Sequence, residues 1–217
     1  MDTAQAINQD IDDFRDPDGS PDEELLHDRT YRVRAYRRSA SQMRIRGMVR
    51  DIKPMIMWVE TGRGPIEVHH MVVDLIIDYP EMVISEVDVQ FVTNPHEGCP
   101  AIAAKYQNLV GLPVTRGYID KVRKLFGGPR GCTHTTALLL AMGPVATQAM
   151  TSMEMRGRQP SDWDRPDRQF NATHMINTCH FWSEDGEAIA LVRAGKHPGR
   201  PRWLDVGADN PAEAPDR

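Results

Sequence analysis

The sequence predicts an α+β protein: an antiparallel sheet packed on one face by about three helices. Three observations carry this. The first half of the chain repeats apolar and polar residues with a period of two, the signature of half-buried strands. The second half is built of Ala- and Leu-rich runs bounded by glycine and proline. Strands first and helices later is the order of a sheet with its helices gathered on one side.

The strands come in chain order. Tyr31 to Arg37 (YRVRAYR) alternates, and Gln42 to Arg50 (QMRIRGMVR) alternates again. Pro65 to Asp78 (PIEVHHMVVDLIID) is β-branched and apolar. Pro80 and Glu81 make a turn into Met82 to Thr93 (MVISEVDVQFVT), so the last two strands read as a hairpin.

Helices follow. Cys99 to Val110 has Pro100 at its first position, where proline is favoured, and Gly111 after its end. Thr115 to Phe126 is the second helix, stopped by Gly127-Gly128-Pro129. Cys132 to Met153 is the third, with Gly143-Pro144 expected to kink or split it. Residues 156 to 172 read as loop. His174 to Trp182 and Glu187 to Val192 read as a closing hairpin across Ser183-Glu184-Asp185-Gly186.

Charge sets the boundaries. Residues 1 to 28 hold ten acids and one arginine, broken by Pro17, Gly19 and Pro21. Such a segment cannot bury enough surface to order itself and reads as an acidic disordered tail. Residues 195 to 217 read as a flexible second tail, which leaves one α+β domain over 29 to 194. Eight arginines and no acid lie between Arg29 and Arg50. They are read as a solvated strand face, because stacking aromatics are confined to Tyr31 and Tyr36 and the net charge is -5, which weighs against nucleic acid. No window holds the roughly eighteen consecutive apolar residues that a membrane span needs. The acidic start lacks a basic and apolar leader, so the expected location is the cytoplasm.

The chemistry sits on cysteine and histidine. Three cysteines in a reducing compartment argue against a disulfide framework. Cys99 and Cys132 each follow a glycine and open a helix. A helix N-terminus offers unpaired N–H groups and partial positive charge, which favour the thiolate that binds metals and attacks electrophiles. Buried filler is the bland alternative for any one cysteine. His134 lies two residues after Cys132. Cys179 and His180 are adjacent, as are His69 and His70, and neighbours on a strand point to opposite faces. The candidate ligands are therefore Cys99, Cys132, His134, one of Cys179 and His180, and one of His69 and His70, with His70 preferred. Such donors suit zinc or an iron–sulfur cluster, although no CxxC pair is present.

His70-Met71, Cys99-Pro100, Leu109-Val110-Gly111, Gly127-Gly128, Gly131-Cys132-Thr133-His134 and Cys179-His180 together resemble an uncharacterised bacterial family, a domain of unknown function with a GCTHL-type signature and a late Cys-His pair. Thr135 stands here in place of the leucine. The resemblance spans about residues 30 to 195 and implies no activity. The order of hairpin, Gly-Cys opening a helix, and a later Cys heading a long Ala-rich helix is also similar to iron–sulfur scaffold proteins of the IscU and SufU kind. That resemblance matches Cys99 and Cys132 to two scaffold cysteines and implies an IscU- or SufE-like fold. The scaffold's earliest cysteine has no counterpart, and His70 stands in roughly its region.

The reading that follows is a metal or iron–sulfur binding protein using Cys99, Cys132, His134, Cys179, His180 and His70, with a metal or small molecule as its partner. The alternative is a cysteine-dependent enzyme acting on a small molecule, with Cys132 as nucleophile and His134 as base. A third reading is an interaction module whose cysteines are structural.

Overall fold

The computed structural model describes residues 25–54, 65–157, 175–196 and 198–199. Most of both expected tails, and the loop expected over 156 to 172 beyond Gly157, lie outside the described residues. The chain divides into two compact units, one ending at Met155 and the other beginning at Arg156.

The first unit is α+β. Its four strands are β1 (Asp28–Arg37), β2 (Gln42–Lys53), β3 (Ile66–Asp78) and β4 (Val83–Thr93), paired antiparallel in sequence order. Asp28, the last residue of the expected acidic tail, is the first residue of β1. A 3-10 helix at Cys99–Leu109 packs on β4, and helices α1 (Tyr118–Phe126) and α2 (Thr133–Met155) follow. Helix α2 lies across β1, β2 and β3 and against α1.

Alternation decides which face of the sheet is covered. In β2, Met43, Ile45, Val49 and Asp51 are buried, while Arg44, Arg46 and Arg50 between them face the other way and pair with acids. In β3, Met71, Val73, Leu75 and Ile77 continue the buried face. These side chains form one core with Leu138, Leu139, Met142 and Ala146 of α2 and Val122 and Phe126 of α1. Each fully buried aliphatic contributes about 1.5–3 kcal/mol relative to exposure.

Two glycines set how closely α2 approaches. A Cβ on Gly47 of β2 would meet the Met142 sulfur at 2.7 Å, and one on Gly143 would meet the Tyr118 ring at 2.8 Å. Pro144, one residue further, is accommodated inside a continuous helix rather than splitting it. The chain from Gly111 to Val114 runs back along β4, exchanging backbone hydrogen bonds with Ile84 and Met82, and so covers part of that edge.

Among the described residues of the second unit, helices stand where the hairpin was expected. His180–Trp182 is a 3-10 helix, and Glu187–Arg193 is helix α3. The apolar run of Glu187 to Val192 is too short for periodicity to separate helix from strand. Glu187 in the first turn and Arg193 in the last complement the helix dipole, and Ala188 and Ile189 are its buried residues.

Candidate functional site

Strand register assembles the polar end of the core. Arg29 of β1 pairs with Asp51 of β2, and Asp51 pairs with His69 of β3. Three neighbouring strands thus present an arginine, an aspartate and a histidine in one row. A register shift between Asp51 and Ile52 follows directly, as is common where a sheet re-aims a side chain. Because residues two apart share a face, Asp51 occupies the slot after Val49 on the covered side. Its side chain has no solvent exposure.

A buried carboxylate needs partners, and Asp51 has several. Arg29 donates through Nε to Oδ1 at 2.6 Å and through Nη2 to Oδ2 at 2.7 Å, a fork-on-carboxylate pair. His69 Nδ1 lies 3.0 Å from Oδ2. His134, in the first turn of α2, brings Nε2 to 3.1 Å from the same oxygen. His27 Nε2 stands 3.5 Å from Oδ1. Burial opposes ionisation of Asp51, but the Arg29 hydrogen bonds and charge, aided by His134 and His27, outweigh it and hold the carboxyl below the ordinary aspartate range. Arg29 is correspondingly held more firmly protonated by its bonds to Asp51.

His69 and His134 stack, with ring centroids 3.8 Å apart and planes inclined by 27°. Burial, together with the neighbouring His69, holds His134 below the ordinary histidine value despite the attraction of Asp51. Its other nitrogen, Nδ1, lies 3.7 Å from the Cys132 sulfur. Cys132 immediately precedes α2 and accepts the helix's first hydrogen bond, from the Thr136 N–H at 2.9 Å. Its own N–H donates to the Tyr106 hydroxyl at 2.8 Å. The 3-10 helix therefore fixes the entry of α2, with the buried Tyr106 ring tilted against Phe126.

The structure thus brings together Cys132 and His134 from the sequence-derived set. His70 faces the opposite side of the sheet, where its Nδ1 lies 3.4 Å from Glu67. Glu67 also accepts from Arg50 at 2.5 Å and from Thr93. Cys99 opens the 3-10 helix, half-buried, and its N–H donates to the His96 carbonyl. Cys179, exposed, and His180 belong to the second unit. Among the described residues, the acid, histidine and cysteine donors that converge within 4.8 Å of one another are Asp51, His69 and His134. Of the ligands expected for zinc or an iron–sulfur cluster, that set contains His134 and no cysteine.

Asp51, His69, Arg29 and His27 are what the sequence reading left out or left open. A signal for two of them was present. Asp51 falls in the apolar slot of the series Met43, Ile45, Gly47, Val49, and His69 falls in that of Met71, Val73, Leu75, Ile77.

A family model described as "Protein of unknown function (DUF2889)" matches residues 27–148. The chain belongs to this family. The match covers all four strands and most of α2, so Arg29, Asp51, His69, Cys132 and His134 all lie inside the DUF2889 region. Cys179 and His180 lie beyond it. No curated protein and no solved structure matches the chain. No helix among the described residues is long and apolar enough to cross a membrane.

Proposed function

We propose that this DUF2889 protein is a cysteine-dependent enzyme acting on an electrophilic small molecule. Cys132 is the nucleophile, His134 its base, and Asp51 the group that orients the base. One observation carries the reading: the imidazole of His134 spans from Asp51 at Nε2 to the Cys132 sulfur at Nδ1.

The tautomer follows from the charges. An ionised Asp51 only accepts, so Nε2 of a neutral His134 carries the proton and donates it to Oδ2. Nδ1 then holds a lone pair toward the thiol. It can take the S–H proton as sulfur attacks, and the buried carboxylate stabilises the imidazolium that forms. The lowered proton affinity of His134 keeps the ring neutral, and hence basic, near pH 7. The N-terminal end of α2, a helix of 23 residues, adds its partial positive charge beside the sulfur. The 3.7 Å separation is long for a hydrogen bond, as apo sites often are before substrate tightens them.

The test is the pH profile of Cys132 alkylation by iodoacetamide, followed by mass spectrometry to separate it from Cys99 and Cys179. In wild type Cys132 should be alkylated faster at pH 7 than Cys99 or Cys179. His134→Ala should slow Cys132 alkylation at pH 7 by on the order of tenfold or more. Equal profiles for the two proteins would remove the base and sink the proposal.

A further inference from the structure

The thiol relay needs one imidazole, and this site holds two. His69 comes from a different strand and reaches the same Asp51 oxygen that His134 reaches. That oxygen already accepts from Arg29, so the second imidazole is not required to satisfy the carboxylate. Two imidazole ring nitrogens and a carboxylate oxygen, contributed by β3, α2 and β2, converge where one ion would sit among them.

We propose that Asp51, His69 and His134 form a binding site for a divalent transition metal of the zinc class, and that the ion switches the Cys132 thiol off. The consequence for Cys132 rests on the thiol reading above; the site itself does not.

The geometry supports the first part. Zinc bonds to nitrogen and oxygen at about 2.0–2.1 Å, so neighbouring donors on a tetrahedron stand about 3.3 Å apart. The two nitrogens lie 3.0 and 3.1 Å from Asp51 Oδ2. Small outward movements of both rings would open the space an ion needs. Imidazole and carboxylate are borderline and hard donors, which suits zinc, iron(II) or cobalt(II) more than the soft ions that thiolates select. Three protein ligands also leave a fourth position for water. The His69 and His134 side chains retain 22% and 17% exposure, so the ion has an approach from solvent. Arg29 opposes the ion by charge, and its Nη2 must yield Oδ2. Its Nε bond to Oδ1 can remain and hold the carboxylate in place.

The switch follows from proton bookkeeping on one ring. Without metal, Nε2 of His134 carries the proton and Nδ1 is the base. A metal bound at Nε2 needs that lone pair, so the proton moves to Nδ1. The nitrogen facing Cys132 becomes a donor and can no longer accept the thiol proton. The ring's net charge and proton count are unchanged; only the tautomer reverses.

The experiment titrates full-length, chelator-treated protein with Co2+ and Zn2+. Wild type and Cys132→Ser should both take up about one Co2+ per chain, with visible d–d bands and no thiolate-to-cobalt charge-transfer band. His69→Ala and the near-isosteric His69→Gln should each weaken binding by about 100-fold or more, with circular dichroism checking that both fold. Zn2+ should slow Cys132 alkylation in wild type and leave the His69 variants unaffected. Absence of Co2+ binding in wild type, or binding lost in Cys132→Ser and kept in the His69 variants, would overturn the site. If Co2+ binds as described but Zn2+ leaves alkylation unchanged, the switch fails and the site stands. If alkylation proves independent of His134 while Cys132→Ser still binds Co2+, the thiol reading fails and the metal site survives it.

Discussion

Arg29 and Asp51 face each other directly in the β1–β2 register and close a two-bond fork, 2.6 and 2.7 Å, around a carboxylate that has no exposure of its own. The pair converts a core position of β2 into a fixed negative charge, and the tautomers of His69 and His134 are set by that charge. A chain that omitted the arginine would leave a buried carboxylate to protonate, and both histidines would lose the acceptor that orients them.

Removing one partner of this pair should therefore cost more than the pair contributes. Arg29→Met leaves Asp51 buried and uncompensated, and a loss of about 3–5 kcal/mol is expected. Urea unfolding followed by circular dichroism measures it. The double variant Arg29→Met/Asp51→Leu, which removes both charges, should recover much of the loss. A single variant as stable as wild type would mean that the fork is not formed in solution.

Acid should weaken the first unit, and the sign can be worked out group by group. Asp51 is held below its ordinary range chiefly by Arg29. Glu67 is held below its own range, against burial, by hydrogen bonds from Thr93 and Arg50. In each case the unfolded chain binds more protons, so the stability is present above the unfolded carboxyl values, near pH 4, and is lost as pH falls through the folded ones. His134, lowered by burial and by His69, acts in the same direction: its unfolded form takes up a proton first as pH drops below about 6.5. Chelator-treated protein should show a falling urea midpoint from about pH 6.5 downward, steepest in the carboxylate range. In Glu67→Gln the carboxylate part of that slope should be smaller. A flat profile from about pH 7 to 4.5 would contradict the His134 assignment, and one that stays flat from about pH 4.5 to 2 would contradict those of Asp51 and Glu67.

Much of this was legible in the chain, and what was missed has a physical cause. Strict alternation in QMRIRGMVR located β2, and the Asp74 and Asp78 positions on β3 mark its outer face. Carried one step further, the same alternation puts Asp51 among the core residues and chooses His69 over His70 for the covered side. The strand reading ended at Arg50, one residue short of the acid that matters. The meeting of His134 with Asp51 was not legible, because it depends on how α2 docks on the sheet, and no local period encodes that. Cys132 and His134 were singled out because a glycine-preceded helix start is a local signal, and their side chains lie 3.7 Å apart. Glu187 to Val192 was misassigned because a run that short carries no decisive period.

Tyr106→Phe should act on Cys132 without emptying the core. The ring, fully buried against Phe126, stays. What goes is the hydroxyl that accepts the Cys132 N–H at 2.8 Å. A lost hydrogen bond of this kind costs about 0.5–1.5 kcal/mol, with more where the orphaned N–H stays buried. The expected result is a modest drop in stability together with altered Cys132 alkylation, since the turn that aims the sulfur is loosened. Unchanged stability and unchanged alkylation would show that Tyr106 does not fix the helix entry.

Gly143→Ala gives a prediction whose sign separates local propensity from packing. In a helix interior, alanine is favoured over glycine by about 1 kcal/mol, so propensity alone expects a more stable protein. Gly143 is buried inside α2, and a Cβ there would lie 2.8 Å from Cδ1 and 3.1 Å from Cε1 of Tyr118. Tyr118 is 3% exposed and belongs to the core, so its rigid ring has little room to retreat. Overpacking of this kind costs about 1–3 kcal/mol, enough to cancel or reverse the propensity gain. The melting temperature of Gly143→Ala should fall. In the double variant Gly143→Ala/Tyr118→Leu, which shortens the opposing side chain, the alanine should become neutral or favourable relative to Tyr118→Leu alone. A rise in melting temperature for the single variant would mean that α2 and α1 do not approach as closely as Gly143 and Tyr118 indicate.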